Sequence, residues 1–192
     1  HSIAANMLER QFEADAPNRK WVADFTYLWT AEGWLFVAAV LDLYSRRIVG
    51  WSMSVSMTAQ LVGDALLMAL WRRGKPDELL HHSDQGSQYT SYSYTQRLID
   101  CGIEPSVGAV ADAYDNAMAE APVGPLKTER VDGKIYRSRF DAELAIAVFI
   151  GWFNSSRLHE NLGDIPPDEF EENYRLEQAL TEEVKYTTKG RC

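Results

Sequence analysis

An α/β fold is predicted, with a mixed sheet of three antiparallel strands followed by parallel strands and helices on both faces. Three observations predict it. Three β-favouring segments follow closely on one another between residues 21 and 53. From residue 58 the apolar spacing turns helical, and short apolar strands then alternate with helical segments. The composition is globular, with 46% hydrophobic and 24% charged residues in a chain of 192. A chain of that length buries roughly 70% of its unfolded surface and needs no disulfide or structural metal.

Residues 1–18 are irregular and end in Ala16-Pro17-Asn18, which reads as an arm or linker. Residues 21–28 are rich in aromatic and β-favouring types. Residues 34–43 form the nearly continuous apolar run of a buried central strand. Residues 46–53 make the third strand. The connections Thr30-Ala31-Glu32-Gly33 and Tyr44-Ser45 have hairpin length. Leu61, Ala65, Leu66, Ala69 and Leu70 predict a helix over 58–73, with Thr58 as its cap and Gly74 and Pro76 as its stop. A short strand over 79–82, a helix over 91–101 closed by Gly102, and a strand over 103–107 follow. Asp112 or Asp115 caps a third helix running through Glu120. A long helix over 140–155 carries Leu144, Ala147, Val148 and Trp152 on one face. Ile165-Pro166-Pro167 breaks the chain before an acidic helix over 168–180 and a polar tail. The expected organisation is an arm over 1–18, a core over 19–160, and an acidic helix with its tail over 161–192. The order βββαβαβα is compatible with a ribonuclease-H-like sheet.

The net charge is −9 and the pI about 4.9, which taken alone argues against a polyanionic partner. Cys101 and Cys192 are too few and too far apart for a disulfide framework, so a reducing compartment is expected. No apolar run is long enough to span a bilayer and no signal-peptide pattern opens the chain. A cytoplasmic protein without membrane contact is therefore expected. The chain begins at His1 rather than at a methionine, as a fragment lacking its upstream part would.

Single acids interrupt three apolar settings. Asp24 stands mid-strand between Ala23 and Phe25, sharing a face with Val22 and Thr26. Asp84 follows the strand over 79–82. Glu120 lies among Ala117, Met118, Ala119 and Ala121. A carboxylate in such a place is costly unless paired or bound to a cation. Three of them could hold Mg²⁺ or Mn²⁺, and two such ions suit phosphodiester displacement. Each acid also has an ordinary role open to it: a salt-bridge partner, a turn-former before Gly86, a solvated helix residue. Asp42, Asp64, Asp115 and Asp141 look no worse, and periodicity does not choose among them.

Local motifs do choose. His82-Ser83-Asp84-Gln85-Gly86-Ser87-Gln88-Tyr89, Trp21-Val22-Ala23-Asp24-Phe25-Thr26-Tyr27 and Tyr114-Asp115-Asn116-Ala117-Met118-Ala119-Glu120 resemble the three acid motifs of bacterial insertion-sequence transposases with a retroviral-integrase-like (DDE) core. Thirty-five residues separate Asp84 from Glu120, the spacing of that family. Trp152-Phe153-Asn154, Arg157-Leu158-His159, Leu162-Gly163 and Pro167-Asp168-Glu169-Phe170-Glu171 resemble its C-terminal signature. The resemblance runs from about residue 14 to about residue 175.

It implies that Asp24, Asp84 and Glu120 are the catalytic and metal-binding triad, with two Mg²⁺ or Mn²⁺ ions. It implies DNA cleavage that frees a 3′-hydroxyl, then strand transfer by that hydroxyl, without a covalent protein–DNA intermediate. Asn116, on the face of Glu120, would orient the carboxylate, touch DNA or merely start the helix. Gln85 and Gly86 would shape the loop at the site. His81 and His82 face opposite sides of their strand, so packing or a hydrogen bond is expected of each rather than one shared ion. Lys127, Arg130 and Lys134 belong to a locally basic stretch after the third acid, and with Asn154, Arg157 and His159 they are the expected DNA contacts.

Pro122 and Pro125 depart from the family pattern and are expected to kink or end the helix beyond Glu120, at a cost of ~3 kcal/mol. The copy either tolerates the kink or is an altered, weakly active one. A nuclease that cuts without joining, or a decayed DNA-binding or assembly protein, are the alternative readings. The expected partners are the element's ends and target DNA, further copies of the chain, and a helix-turn-helix region lying upstream or on a separate polypeptide. Two divalent ions would bring the charge of −9 to −5, and much of the remaining excess lies in the acidic segment over 168–183.

Overall fold

The computed structural model describes residues 7–8, 13–83, 86–108 and 135–189. The elements are β1 (Lys20–Thr30), β2 (Gly33–Asp42), β3 (Ile48–Ser54), α1 (Ala59–Arg73), β4 (Leu80–Ser83), α2 (Tyr92–Asp100), β5 (Glu104–Val107), α3 (Arg139–Ser155) and α4 (Pro167–Lys189). A short 3₁₀ turn, Glu160–Leu162, links α3 to α4. The five strands form one mixed sheet in the order β3-β2-β1-β4-β5. β1–β2 and β2–β3 pair antiparallel, and β1–β4 and β4–β5 pair parallel. The central position of β1 follows from this order.

Strand alternation divides the apolar residues between two cores. Val22 and Leu28 of β1, with Leu35, Val37, Ala39 and Leu41 of β2, pack against Ala142, Ile146, Phe149, Ile150 and Phe153 of α3. Trp21 and Ala23, with Ala38 and Val40, pack on the opposite face against Leu61, Val62, Ala65, Leu66 and Ala69 of α1 and Tyr94 and Leu98 of α2. The sheet is thus covered on both sides.

α1 lies close on the sheet because Gly50 of β3 has no side chain. A Cβ there would sit 2.2 Å from the Ala65 carbonyl oxygen and 2.7 Å from the Ala69 nitrogen, both backbone atoms of α1. Gly50→Ala must lift the helix. A loss of about 3 kcal/mol, the upper end of ordinary overpacking, is expected in urea denaturation.

Four local expectations are revised. Thr58 occupies the N-cap of α1 but its hydroxyl caps nothing, whereas Ser138 caps α3 by accepting from the Asp141 N–H at 3.0 Å. The β2–β3 connection is longer than Tyr44-Ser45. Asp42 accepts from Tyr44 N at 2.9 Å, Ser45 Oγ accepts from Arg47 N at 3.3 Å, and Arg46 adopts φ 60°, so β3 starts only at Ile48. α3 buries the face of Ile146, Phe149 and Phe153, leaving Leu144, Val148 and Trp152 exposed. α4 begins with Pro167, whose fixed φ suits a first helical position. It continues through Lys189, beyond the expected end at Leu180. Among the described residues no helix is long and apolar enough to cross a membrane.

Candidate active site

Asp24 sits in the middle of the central strand, opposite Ala39 of β2. It lies on the α3 face of the sheet, where Val22 and Leu28 are buried and Thr26 is 2% exposed. Asp24 itself is half-buried, and its Oδ1 accepts from the Phe25 N–H at 2.7 Å. β4 runs parallel to β1, and its last described residue, Ser83, pairs with Ala23. The carboxyl end of β4 therefore stops beside Asp24, as ligand sites of parallel strands do. The carbonyl of Gly86 accepts from Tyr89 N at 3.0 Å, Thr90 N at 3.1 Å and Thr90 Oγ1 at 3.2 Å, which fixes the turn leading to α2. Asp84, Gln85, Asn116, Glu120, Pro122, Pro125, Lys127, Arg130 and Lys134 lie outside the described residues. Among those described, no three His, Cys, Asp or Glu side chains gather as a metal group.

The two histidines of β4 diverge as alternation requires. His81 faces α2, with Nε2 3.2 Å from the Tyr94 hydroxyl. His82 faces the other core, with Nδ1 2.9 Å from Ser106 Oγ. Burial lowers the His81 pKa to about 4, so the ring is neutral at pH 7. The unfolded chain binds this proton near pH 6.5 and the folded chain only near 4, so stability is present above 6.5 and lost as pH falls between them. Wild type is expected to lose about 2 kcal/mol more than His81→Asn between pH 7 and pH 5, read from urea midpoints.

The expected DNA contacts of the C-terminal part separate. Asn154 is 8% exposed, and its carboxamide is spent on Ile48: Oδ1 accepts from Ile48 N and Nδ2 donates to Ile48 O, both at 2.9 Å. Its place is a clamp between α3 and the start of β3, which corrects its reading as a DNA contact. The His159 ring stands edge-on to Phe153, centroids 4.8 Å apart. The Arg157 guanidinium lies 5.5 Å from the centre of the same ring. These two remain together at the end of α3. Arg139, in the basic stretch, donates to the Glu32 carbonyl at 2.5 Å and is held by the β1–β2 hairpin.

Two buried acids lie outside the expected site: Asp42, which the sequence left level with Asp64, Asp115 and Asp141, and Glu171, which it placed only in the C-terminal signature. Asp42, fully buried, accepts from Asn18 N at 2.7 Å and Trp21 Nε1 at 3.3 Å besides Tyr44 N. Burial raises its pKa against the pull of those bonds and of Arg73. Glu171 of α4 is 1% exposed and binds Ser45 Oγ at 2.6 Å and Arg73 NH1 at 2.7 Å.

The Integrase core domain model matches residues 14–113, and a second model of the same description matches residues 101–167. The chain belongs to the integrase core family. This integrase core is 47% identical over 176 residues to a putative transposase for insertion sequence element IS986/IS6110 of Mycobacterium tuberculosis, covering 88% of this chain and 63% of the relative. It is 46% identical over 171 residues to the transposase for insertion sequence element IS629 of Shigella sonnei, covering 89% and 57%. It is 43% identical over 170 residues to transposase InsF for insertion sequence IS3A of Escherichia coli, covering 88% and 59%. The chain thus spans about three-fifths of the length of these relatives. Among solved structures, the core is similar to a chain of the simian T-cell lymphotropic virus intasome in complex with PP2A regulatory subunit B56 gamma, with TM-score 0.69 and 15% identity over 89% of this chain and 59% of that one. It is also similar to the HTLV-2 integrase catalytic core domain in complex with magnesium, with TM-score 0.58 and 16% identity over 82% and 99%. At these identities the likeness carries the fold, which is the mixed sheet expected from the sequence.

Proposed function

We propose that this integrase core is the catalytic part of an insertion-sequence transposase that cuts DNA at the element's ends and joins it to target DNA. The observation that carries the reading is the position of Asp24, half-buried on the central strand beside the carboxyl end of parallel β4. Asp84 is the next residue in the chain after Ser83, and consecutive Cα atoms lie about 3.8 Å apart. On that connectivity Asp84 is proposed as the second carboxylate, with Glu120 as the third.

The donor chemistry fits the metal that the family implies. Carboxylate oxygens suit Mg²⁺ or Mn²⁺, and the His81 ring lies on the other side of the sheet, against Tyr94 of α2. Asp24, Asp84 and Glu120 would hold two such ions, which supply activation of an attacking oxygen and stabilisation of the leaving one. Asp24 contributes a rigid carboxylate, since Phe25 N fixes one of its oxygens. Lys127, Arg130, Lys134, Arg157 and His159 are proposed for the DNA backbone, Asn116 and Gln85 for orienting the site. A helix-turn-helix region beyond this chain and further copies of the chain are the proposed partners.

The test is an assay on element-end DNA with Mg²⁺ or Mn²⁺, using the full-length transposase. Joined products are expected. Cutting without joining would favour a nuclease, and no product with either metal from a folded protein would overturn the reading.

A further inference from the structure

The far end of the β1–β2 hairpin carries an aromatic row on the face opposite Asp24. Residues 25, 27 and 29 of β1 share that face by strand alternation, and the register sets Tyr27 opposite Phe36 and Trp29 opposite Trp34. The rings meet. Tyr27 and Trp34 centroids lie 5.3 Å apart and Trp29 and Trp34 centroids 4.8 Å, both edge to face, and Tyr27 and Phe36 centroids 6.1 Å. α1 and α2 cover this face where Trp21, Ala23, Ala38 and Val40 are buried. Beyond those residues Tyr27 is 55% exposed, Trp29 50% and Trp34 45%. Cross-strand aromatic pairs steady a hairpin, but pairing alone does not require three large rings to face water. A contiguous exposed apolar patch marks a binding surface.

Its place and its chemistry select the ligand. The row begins at Phe25, the neighbour of Asp24 in the chain, and the Phe25 ring lies 6.2 Å from that of Tyr89, five residues after Asp84. The row therefore runs outward from the candidate active site. At its other end the Arg139 guanidinium donates to the Glu32 carbonyl and lies against Gly33, where a Cβ would sit 3.0 Å from NH2. A positive charge thus stands at the residue preceding Trp34. Between these ends the face is made by Tyr27, Trp29, Trp34, Phe36, Ser52 and Ser54, none of them charged, in a chain with 28 acids. A phosphate strand would meet no carboxylate among these six. Unpaired bases stack on aromatic rings whatever their sequence. In a duplex the base faces are already stacked on one another, so the ligand that fits is unpaired DNA.

We propose that Tyr27, Trp29 and Trp34 stack unpaired nucleotides of a DNA strand that runs past the active site, with Arg139 as the cation that meets a phosphate at the hairpin end. Residues 27 and 29 stand about 6.8 Å apart along β1, far enough for each ring to take its own base. The rings bind and take no part in the chemistry. That DNA reaches this surface from the active site rests on the transposase reading, whereas the stacking itself needs neither metal nor cleavage.

The experiment titrates a short single strand carrying 2-aminopurine, and the matching duplex, with the chain in EDTA, so that the metal site plays no part. Wild type should quench the single strand and bind it about tenfold more tightly than the duplex. Trp29→Leu and Trp34→Leu keep an apolar side chain and lose a ring. Each should weaken single-strand binding about tenfold, the scale of one lost base stack, and Trp29→Phe, which keeps a ring, should restore most of the loss. Urea midpoints show that the variants are folded, and should one leucine variant fail to fold, the other decides. No single-strand binding by wild type overturns the proposal, as does unchanged single-strand affinity in a folded leucine variant. A leucine variant that changes the sedimentation of the chain but not its strand affinity also overturns it, since the face would then join two copies. Ring-dependent strand binding, alongside a full-length protein that neither cuts nor joins element-end DNA, supports the surface and removes the transposase reading.

Discussion

Asp24→Asn is expected to lower strand transfer by three orders of magnitude or more, about 4 kcal/mol of transition-state stabilisation, while leaving the fold intact. Asparagine has nearly the shape of aspartate and keeps an oxygen to accept the Phe25 N–H. The change therefore removes a charge and little packing, and the urea midpoint should move by less than about 0.5 kcal/mol, as for a surface substitution. A thermal titration separates metal loss from any other defect. Mn²⁺ bound only by the folded state raises its stability by RT ln(1 + [L]/Kd), about 2.7 kcal/mol at a hundredfold excess over Kd. Wild type should show a concentration-dependent rise in Tm, and Asp24→Asn almost none. Equal Mn²⁺ shifts in the two proteins would remove Asp24 from the metal site even if activity were lost.

The position of Asp24 was legible because a strand has period two. Val22, Asp24 and Thr26 had to share a face, and the apolar run over 34–43 pairs beside them as β2, although β1 rather than that run takes the centre of the sheet. The divergence of His81 and His82 followed from the same rule. α3 was not legible in this way. It is apolar nearly all round, so Leu144, Ala147, Val148 and Trp152 form as good a stripe as Ile146, Phe149, Ile150 and Phe153, and only the sheet beneath decides which is buried. The far end of α4 was misplaced for a simpler reason. Polarity after Leu180 suggested a tail, yet no glycine or proline interrupts the chain before Gly190, and the helix runs to Lys189. Asn154 resembled a DNA contact because its motif says nothing of Ile48, 106 residues away, which takes both ends of its amide.

Glu171 shows the same limit with the largest energetic consequence. In the sequence it is one of seven acids in an acidic segment over 168–183, and the signature it belongs to says nothing of burial. In the fold its two oxygens receive both terminal nitrogens of Arg73, with side-chain exposures of only 2% and 10%, and the Ser45 hydroxyl donates to it. Arg47 reaches it at 3.6 Å and also binds Asp168 at 2.7 Å. Burial alone would raise its pKa, but the bonds from Arg73 and Ser45 and the charge of Arg47 prevail and hold it below the usual carboxylate range. Stability from this group is thus full above the unfolded pKa near 4.5 and is lost as pH falls through the lower folded value. Glu171→Ala leaves Arg73 buried without its partner, and a loss of about 3–5 kcal/mol is expected at pH 7. The residues of α4 beyond Tyr174 are exposed through Lys185, so the helix depends on its first turns for docking. Hydrogen exchange should therefore show α4 losing protection first and most. Replacing both partners with apolar residues, Arg73→Met with Glu171→Leu, should restore much of the loss, because a buried pair contributes less than the charge it leaves behind when broken. If the double variant is as unstable as Glu171→Ala alone, the ion pair itself, rather than relief of the orphaned guanidinium, holds α4 to the core.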